Sequence, residues 1–398
     1  MVEPELAIQG TEAQPIQTDV VIIGGGLAGA SAAIALFRQG YGVTLISSHE
    51  RHPPDFRAEK VAQTQMELFE RIGLGDVVRA EVTAFDGVWL HRFGRFERTT
   101  TPEYGGDYSD LVNTVRRAIP AGVRSIVGRV DDIATSENLQ HVTLSDGRKF
   151  TARLLIVATG LGDTIRKKLG IERDIISPQH SLCCGFDLVQ PRSHFPFPSL
   201  VWNGAKFNDR VSYLTLFPIG DKIRANFFVY RTSSEEWTRT FRDQPAQGLR
   251  AVMPGLERMF GEITIAGPVI ARPIDLVQVH NHEQDGVVLI GDAFCVVCPI
   301  TGTGIEKALT DVDRLCNTYI PRWFKSAGMS KAKIREFYAD PIKTARDASA
   351  MKMSFDAKKI KTDLGMRWKL RRLRSNTLGR ARYVVRATVK QLRSPAPK

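Results

Sequence analysis

Cysteine is scarce and odd in number: Cys183, Cys184, Cys295, Cys298 and Cys316 are the only five in 398 residues. An odd set in a chain this long argues against a disulfide framework and points to a reducing cytoplasm. No apolar run is long enough to cross a bilayer. The stretch Met1 to Thr18 carries Glu3, Glu5 and Glu12 but no basic residue, which excludes a secretory or mitochondrial leader. No cluster of His, Cys and carboxylates has metal-ligand spacing, so no metal is expected. Acid is nearly missing from the C-terminus: Lys352 to Lys398 holds 15 of the 55 Lys and Arg but only Asp356 and Asp363 of the 43 acids. That stretch accounts for the net charge of +12, and the remainder is close to neutral. A near-neutral body excludes a nucleic-acid binder.

What is present is an apolar content of 43%, enough for a large core and more than one domain, and two glycine signatures far apart. The first runs from the apolar stretch Val20 to Ile23 into Gly24-Gly25-Gly26-Leu27-Ala28-Gly29. In such a strand–turn–helix, Gly24 permits the tight turn and Gly26 lets a pyrophosphate approach the backbone. Gly29 brings helix and strand together, and the helix start at Leu27 and Ala28 supplies amide donors and a positive dipole. The second is Val287 to Ile290 followed by Gly291-Asp292-Ala293, Pro299 and Gly302-Thr303-Gly304. A ligand held by both ends of the chain must be long, which suits FAD better than NAD.

The fold class is α/β: a Rossmann-like FAD-binding domain, an inserted antiparallel β-sheet substrate domain and a helical basic C-terminal region. The nucleotide-binding segments are expected at 18–80, 108–176 and 268–325, with a sheet-domain excursion at 81–107. The substrate domain is expected at 177–267, where helical periodicity fades, and the helical region at 326–398. Lys60 to Ile72 reads as one helix stopped by Gly73, and Gly304 to about Tyr319 as another. Lys149 to Ala152 closes a hairpin through an Asp-Gly turn, and Leu154 to Ala158 reads as a separate buried strand. The acid that usually binds ribose hydroxyls at the end of the second strand is replaced by Ser47, which is favoured over Glu50 in the following loop.

Over roughly residues 18–325 the chain resembles the flavin-dependent monooxygenases of the para-hydroxybenzoate hydroxylase type. The resemblance rests on the first signature, on Asp55-Phe56-Arg57-Ala58-Glu59 and on Gly291-Asp292 with the residues that follow it. It implies that Arg57 contacts the FAD phosphate or ribityl region and that Asp292 hydrogen-bonds the ribityl chain. Pro299 then lies against the ring edge, and Gly302, Thr303, Gly304 and Ile305 present amides to N1 and O2 of the flavin. Val130 and Gly160 complete the cofactor-binding set. Two positions depart from the family: Tyr108 stands where an Arg is common, and Ala158-Thr159-Gly160 with Asp163 and Arg166 replaces an Asp-Gly, Ser and Arg pattern. No second G-x-G-x-x-G is present, so NAD(P)H docks transiently or a separate reductase supplies the electrons.

The reaction implied is hydroxylation of an aromatic or other electron-rich organic molecule by O2 through a flavin C4a-hydroperoxide. The alternative is an FAD-dependent dehydrogenase or reductase acting on a lipid-soluble substrate. Catalytic residues carry no motif; Trp202, Tyr213, Phe217 and Arg224 are the candidates for the pocket. Cys295-x-x-Cys298 reads as either a redox dithiol or two small side chains lining a tight loop, with the loop lining favoured. Arg367 to Arg374 and Arg380 to Leu392 mix cations with apolar residues. This suits a helix lying peripherally on an anionic membrane surface, or one packed on the body with a solvated basic face.

Overall fold

The computed structural model of the protein describes residues 14–55, 57–92 and 94–374. Strand Ile16–Ile23 forms because Val20, Val21 and Ile22 are β-branched and fully buried on both faces, as a central parallel strand requires. It pairs in parallel with Val43–Ser47 on one side and Lys149–Val157 on the other. Helix Leu27–Arg38 crosses between the first two strands, presenting Ala30, Ala32 and Ala33 to the sheet, and the chain turns at Gly40 with φ +87°.

The hairpin and the buried strand expected at 149–152 and 154–158 are one continuous strand, Lys149–Val157. Its first half pairs antiparallel with Gln140–Leu144, and its second half pairs in parallel with Val287–Leu289. One strand thus serves the hairpin edge and delivers the second glycine signature beside the first.

The single helix expected over Lys60 to Ile72 divides in two. Ala58–Ala62 is a strand paired with Pro102–Asp107, and the helix is Gln63–Arg71. Gln65 decides the boundary, because its side chain accepts the amide of Ala62 at 2.9 Å and starts the helix there. Met66, Leu68 and Phe69 bury the expected face, and Gly73 ends the segment at φ +78°.

The second sheet has eight strands, in the order Cys295–Val296, Ile265–His280, Glu172–Leu188, Lys222–Val229, Val211–Ile219, Leu200–Asn203, Trp89–Arg92, Arg95–Arg98. Its two longest strands pass beyond residues 177 and 267 and stay paired from Glu172 with His280 to Leu188 with Ile265. Helical structure does not fade throughout 177–267. Glu236–Asp243, Pro245–Val252 and Pro254–Phe260 are three short helices covering one face of the sheet, two of them opening on a proline whose missing N–H costs nothing at that position. Leu182, Cys184, Phe186, Leu214, Leu216, Ala225 and Phe227 form that covered face. By strand alternation, Cys183, Tyr213, Thr215, Arg224, Asn226 and Phe228 stand on the other.

Helices Lys331–Tyr338 and Pro341–Thr362 follow the nucleotide-binding domain, and residues 366–374 are helical. Pro341–Thr362 lies across helix Gly304–Arg314 and the turn Pro299–Thr301, so the C-terminal region forms part of the wall around the second signature. Among the described residues no helix is long and apolar enough to cross a membrane. The segment Arg380 to Leu392 lies outside the described residues.

Candidate functional site

Each glycine of the first signature has a different neighbour. Gly24 adopts φ +114°, and a Cβ there would strike the carbonyl of Ala158. A Cβ on Gly29 would run into the Gly24 carbonyl oxygen. A Cβ on Gly26 would meet nothing within 4 Å. Gly26 caps helix Leu27–Arg38 with no side-chain hydrogen bond and no acid in the first turn. The amides of Leu27, Ala28 and Gly29 therefore face an open cradle with the positive end of the helix behind them.

At the end of strand Val43–Ser47, the Ser47 hydroxyl donates to the His49 carbonyl at 3.0 Å and lies 2.9 Å from where a Gly25 Cβ would be. Arg116 donates to the His49 carbonyl at 2.6 Å. Burial holds its guanidinium below the ordinary arginine range, with Glu50 opposing that effect. No motif in the sequence marks this cation, which stands beside the cradle. Val130 has its side chain in the core, and the Gly128 amide just before it donates to the Ser47 carbonyl, so backbone rather than side chain faces this end.

The second signature is braced from behind. Gly291 donates its amide to Asp311 at 2.9 Å and accepts from Lys307 at 3.2 Å. Lys343 then bonds Asp311 at 2.8 Å and Asp347 at 2.9 Å. All four side chains are buried or nearly so, and no sequence motif marks them. Burial works against the Lys307 charge, yet Asp311 and Asp347 hold its proton affinity above that of an ordinary lysine. Asp292 is not bonded into this network, although its charge reaches Lys307, and it makes no hydrogen bond or ion pair among the described residues. A half-buried carboxylate without a donor fits a polyhydroxyl chain.

Beyond it, Pro299–Thr301 forms one tight turn and Gly302 follows at φ +65°. Gly302 and Gly304 are open where a Cβ would stand, and helix Gly304–Arg314 begins there with Thr303 as its cap and Ile305 turned into the core. Gln65 donates to the Gly302 carbonyl at 2.8 Å, tying the start of the second helix to the end of the chain's second signature. Gly160, at φ +59°, is likewise open. Arg166, 1% exposed, donates to the carbonyls of Ala293 at 3.2 Å and Leu161 at 3.3 Å and pairs with Asp163, so it clamps the middle motif onto the Gly291 turn.

Between the two signatures lies a charged junction. The Arg57 guanidinium sits 4.2 Å from the centre of the Tyr108 ring and 3.5 Å from Asp55, which also pairs with Arg272 at 2.5 Å. Tyr108 thus offers Arg57 a π face where the family's usual arginine would add a second cation. Burial pushes its phenol up to about 12. Glu59, on strand Ala58–Ala62, is pushed up to about 7, mainly by burial, with Asp292 and Asp55 adding to the shift and Arg57 opposing it. Glu59 keeps part of its surface open although protein surrounds it, as a group facing an enclosed cleft does.

The free face of the large sheet forms the apolar side. Cys183, Tyr213, Phe228, Tyr230 and Leu276 pack with Cys298 and Ile300 at the Pro299–Thr301 turn and with Met351 and Phe355 of helix Pro341–Thr362. Tyr213 fastens the sheet to the turn by donating to the Ile300 carbonyl. Of the other pocket candidates, Trp202 is on the opposite face, stacked 3.6 Å from His91, and is removed from the site. Phe217 is fully buried against Phe85. Arg224 is bound to Asp187 at 2.5 Å and Asp107 at 3.2 Å, a tie between sheets. Cys295 and Cys298 are buried free thiols, both pushed up by burial, Cys298 to about 11. Reactive dithiols need lowered values, so these thiols line the loop. His180, pushed down to about 4 by burial, bonds Ser177 and the Ser354 carbonyl and is structural.

Residues 17–106 match the FAD binding domain family. Over 330 residues the chain is 24% identical to the 3-demethoxyubiquinol 3-hydroxylase of Escherichia coli (strain K12), covering 76% of this chain and 80% of that one. It is 23% identical over 351 residues to the squalene monooxygenase of Mus musculus, covering 81% of this chain and 58% of that longer protein. The solved structure of p-nitrophenol 4-monooxygenase PnpA from Pseudomonas putida DLL-E4 shares the fold, with a TM-score of 0.72 at 15% identity over 92% of this chain and 93% of that one. FAD, the ligand of the matched family, is the cofactor that the open cradle at Gly26 fits.

Proposed function

For a chain that belongs to the FAD-dependent monooxygenases of the aromatic-hydroxylase type, we propose that the substrate is a lipid-soluble, electron-rich ring hydroxylated with O2. The observation that carries this is the wall of Cys183, Tyr213 and Phe228, mostly apolar and packed beside Ile300 of the Pro299–Gly304 turn. Leu27, Ala28 and Gly29, with Gly24 and Gly26 making room, take the FAD pyrophosphate. Ser47, Val130 and Gly160 line the adenosine side and the middle of the cofactor. Arg57 and Asp292 take the ribityl and phosphate oxygens. Pro299, Gly302, Thr303, Gly304 and Ile305 hold the ring by backbone contacts. Bound FAD supplies the two-electron store and the activation of O2. The protein binds and orients the ring system, and the wall excludes water. NAD(P)H docking transiently, or a separate reductase, loads the electrons, since the sequence carries a single G-x-G-x-x-G.

The purified protein is expected to be yellow and to oxidise NAD(P)H faster with one member of a phenol, quinol and lipid panel. With 18O2, one labelled oxygen atom should enter the product. Product formation without label would replace this reading with the dehydrogenase alternative.

The basic C-terminus favours work at a membrane surface. In the helical residues 366–374, Trp368 is buried, while Met366, Leu370 and Leu373 stand 69%, 58% and 60% exposed. The exposed three lie at i, i+4 and i+7, one apolar stripe flanked by Arg367, Lys369, Arg371 and Arg374. Such a stripe suits an anionic leaflet, from which a lipid-soluble ring could be drawn. In cosedimentation with phosphatidylserine-containing liposomes, the full chain should partition at least about tenfold more than one ending at Asp363, which keeps helix Pro341–Thr362 whole. Equal partitioning would dismiss membrane contact.

A further inference from the structure

Glu59 is the one carboxyl of the site's charged junction that has neither a bond nor a place in the cofactor cradle. Among the described residues it makes no hydrogen bond or ion pair. The titratable groups that act on it come from several elements: Asp55 and Arg57 from its own segment, Tyr108 from helix Tyr108–Arg117, Asp292 from the second signature, and Cys183 from the free face of the sheet. The paired strand Pro102–Asp107 sets uncharged Gly106 opposite it. Arg272 reaches the same junction through Asp55. On its own strand, Lys60 alternates to the other side and is engaged with Glu103 at 2.5 Å. Behind Glu59 the strand leads through Ala62 and Gln65 to the Gly302 carbonyl, so it is held in fixed relation to the turn proposed to seat the flavin ring.

We propose that Glu59 is the charge-compensating residue of the site, taking up a proton from solvent when the bound flavin receives electrons. The inference rests on FAD binding between Asp292 and the Gly302 turn. When a hydride, two electrons and one proton, arrives from a nicotinamide, a negative charge appears in an enclosed region that already holds Asp55 and Asp292. Arg57 offsets one of these charges and Arg272 is spent on Asp55. The Glu59 carboxylate then accepts H+ from water, forming a neutral carboxylic acid, and releases it when the flavin is reoxidised. No electrons move to or from Glu59.

Electrostatics sets the direction. A new negative charge within about 10 Å raises the proton affinity of a carboxyl roughly tenfold at an effective dielectric of about 20. Glu59, poised at about 7 before reduction, then titrates about one pH unit higher afterwards. Well below pH 7 it is neutral in both states, and well above pH 8 it is charged in both. Its charge therefore disfavours reduction only on the alkaline side. A tenfold change in proton affinity corresponds to about 30 mV for a two-electron couple.

Spectroelectrochemical titration of the FAD-loaded full chain tests this without any substrate. Between pH 6 and pH 9 the wild-type midpoint potential should fall by about 30 mV more than that of Glu59→Gln. Equal falls would overturn the proposal. Reduced-minus-oxidised infrared spectra at about pH 7.5 give a second readout on the wild type and Glu59→Asp, which retains the carboxyl if the glutamine variant fails to load FAD. A protonated-carboxyl band should appear on reduction and shift in the aspartate variant; its absence, or its persistence unshifted, would overturn the assignment. A wild-type protein that takes up no FAD would instead defeat the cofactor reading, and so the two failures are told apart.

Discussion

Gly26→Ala should lower FAD affinity about 100-fold while the apoprotein unfolds within about 1 kcal/mol of the wild type. The space around a Gly26 Cβ is open, and its backbone, at φ −74° and ψ −173°, is one any residue adopts. Folding therefore meets no clash, and the loss of a glycine at the helix cap costs only a modest amount. The same methyl would stand in the cradle and hold an anion away from the amides of Leu27 to Gly29. Losing one or two charge-assisted hydrogen bonds, worth about 1.5–3 kcal/mol each, gives the expected factor. Gly29→Ala is the contrast. Its methyl would collide with the Gly24 carbonyl, a backbone group that cannot swing aside, and overpacking of that kind costs about 1–3 kcal/mol or more in stability. FAD titration by fluorescence quenching, paired with thermal unfolding of both apoproteins, separates the effects. An alanine at position 26 that still binds FAD tightly would refute the pyrophosphate cradle.

Lys343→Met should be the most damaging single change away from the cofactor. Lys343 is 1% exposed and bridges Asp311 and Asp347, while its ammonium lies 4.0 Å from the centre of the Phe294 ring. Removing it leaves two carboxylates in a dry site with Lys307 alone, and breaking a buried ionic network from one side costs about 3–5 kcal/mol. Thermal unfolding should move down by roughly 4–6 °C. Because Asp311 holds the Gly291 amide, FAD affinity should fall as well. Lys352→Ala is the control. Its ion pair with Asp356 has the lysine 75% exposed, and such pairs contribute about 0–1 kcal/mol. Equal stability of Lys343→Met and Lys352→Ala would show that the network carries no load.

The glycine signatures are legible in the sequence because their meaning is in the backbone. Gly24, Gly29 and Gly302 each stand where a positive φ or a close approach leaves no alternative, and local sequence records that need. Tyr213 can be nominated from sequence but not oriented, and Trp202 is nominated wrongly. Strand periodicity separates two faces without saying which one the helices between Glu236 and Phe260 cover, and only their packing against Trp202 decides it. The helices between Glu236 and Phe260 are hidden because each is only seven or eight residues long, too short for a clear periodic signal. Glu59 and the network of Lys307, Asp311, Lys343 and Asp347 have no local signature. Their character comes from surroundings brought in by the fold, chiefly burial for Glu59 and helix Pro341–Thr362 for the lysines.

The paired strands Glu172–Leu188 and Ile265–His280 carry a mechanical consequence. They run from the edge of the nucleotide-binding domain into the centre of the large sheet, cross-linked along most of their length. Two domains joined by flexible single strands can swing apart; two joined by a twisted double ribbon flex mainly by bending it. The seating of the free face, through Tyr213 and Phe228, against Ile300 of the Pro299–Gly304 turn is thus held by a stiff frame, like a jaw clamped on its stop.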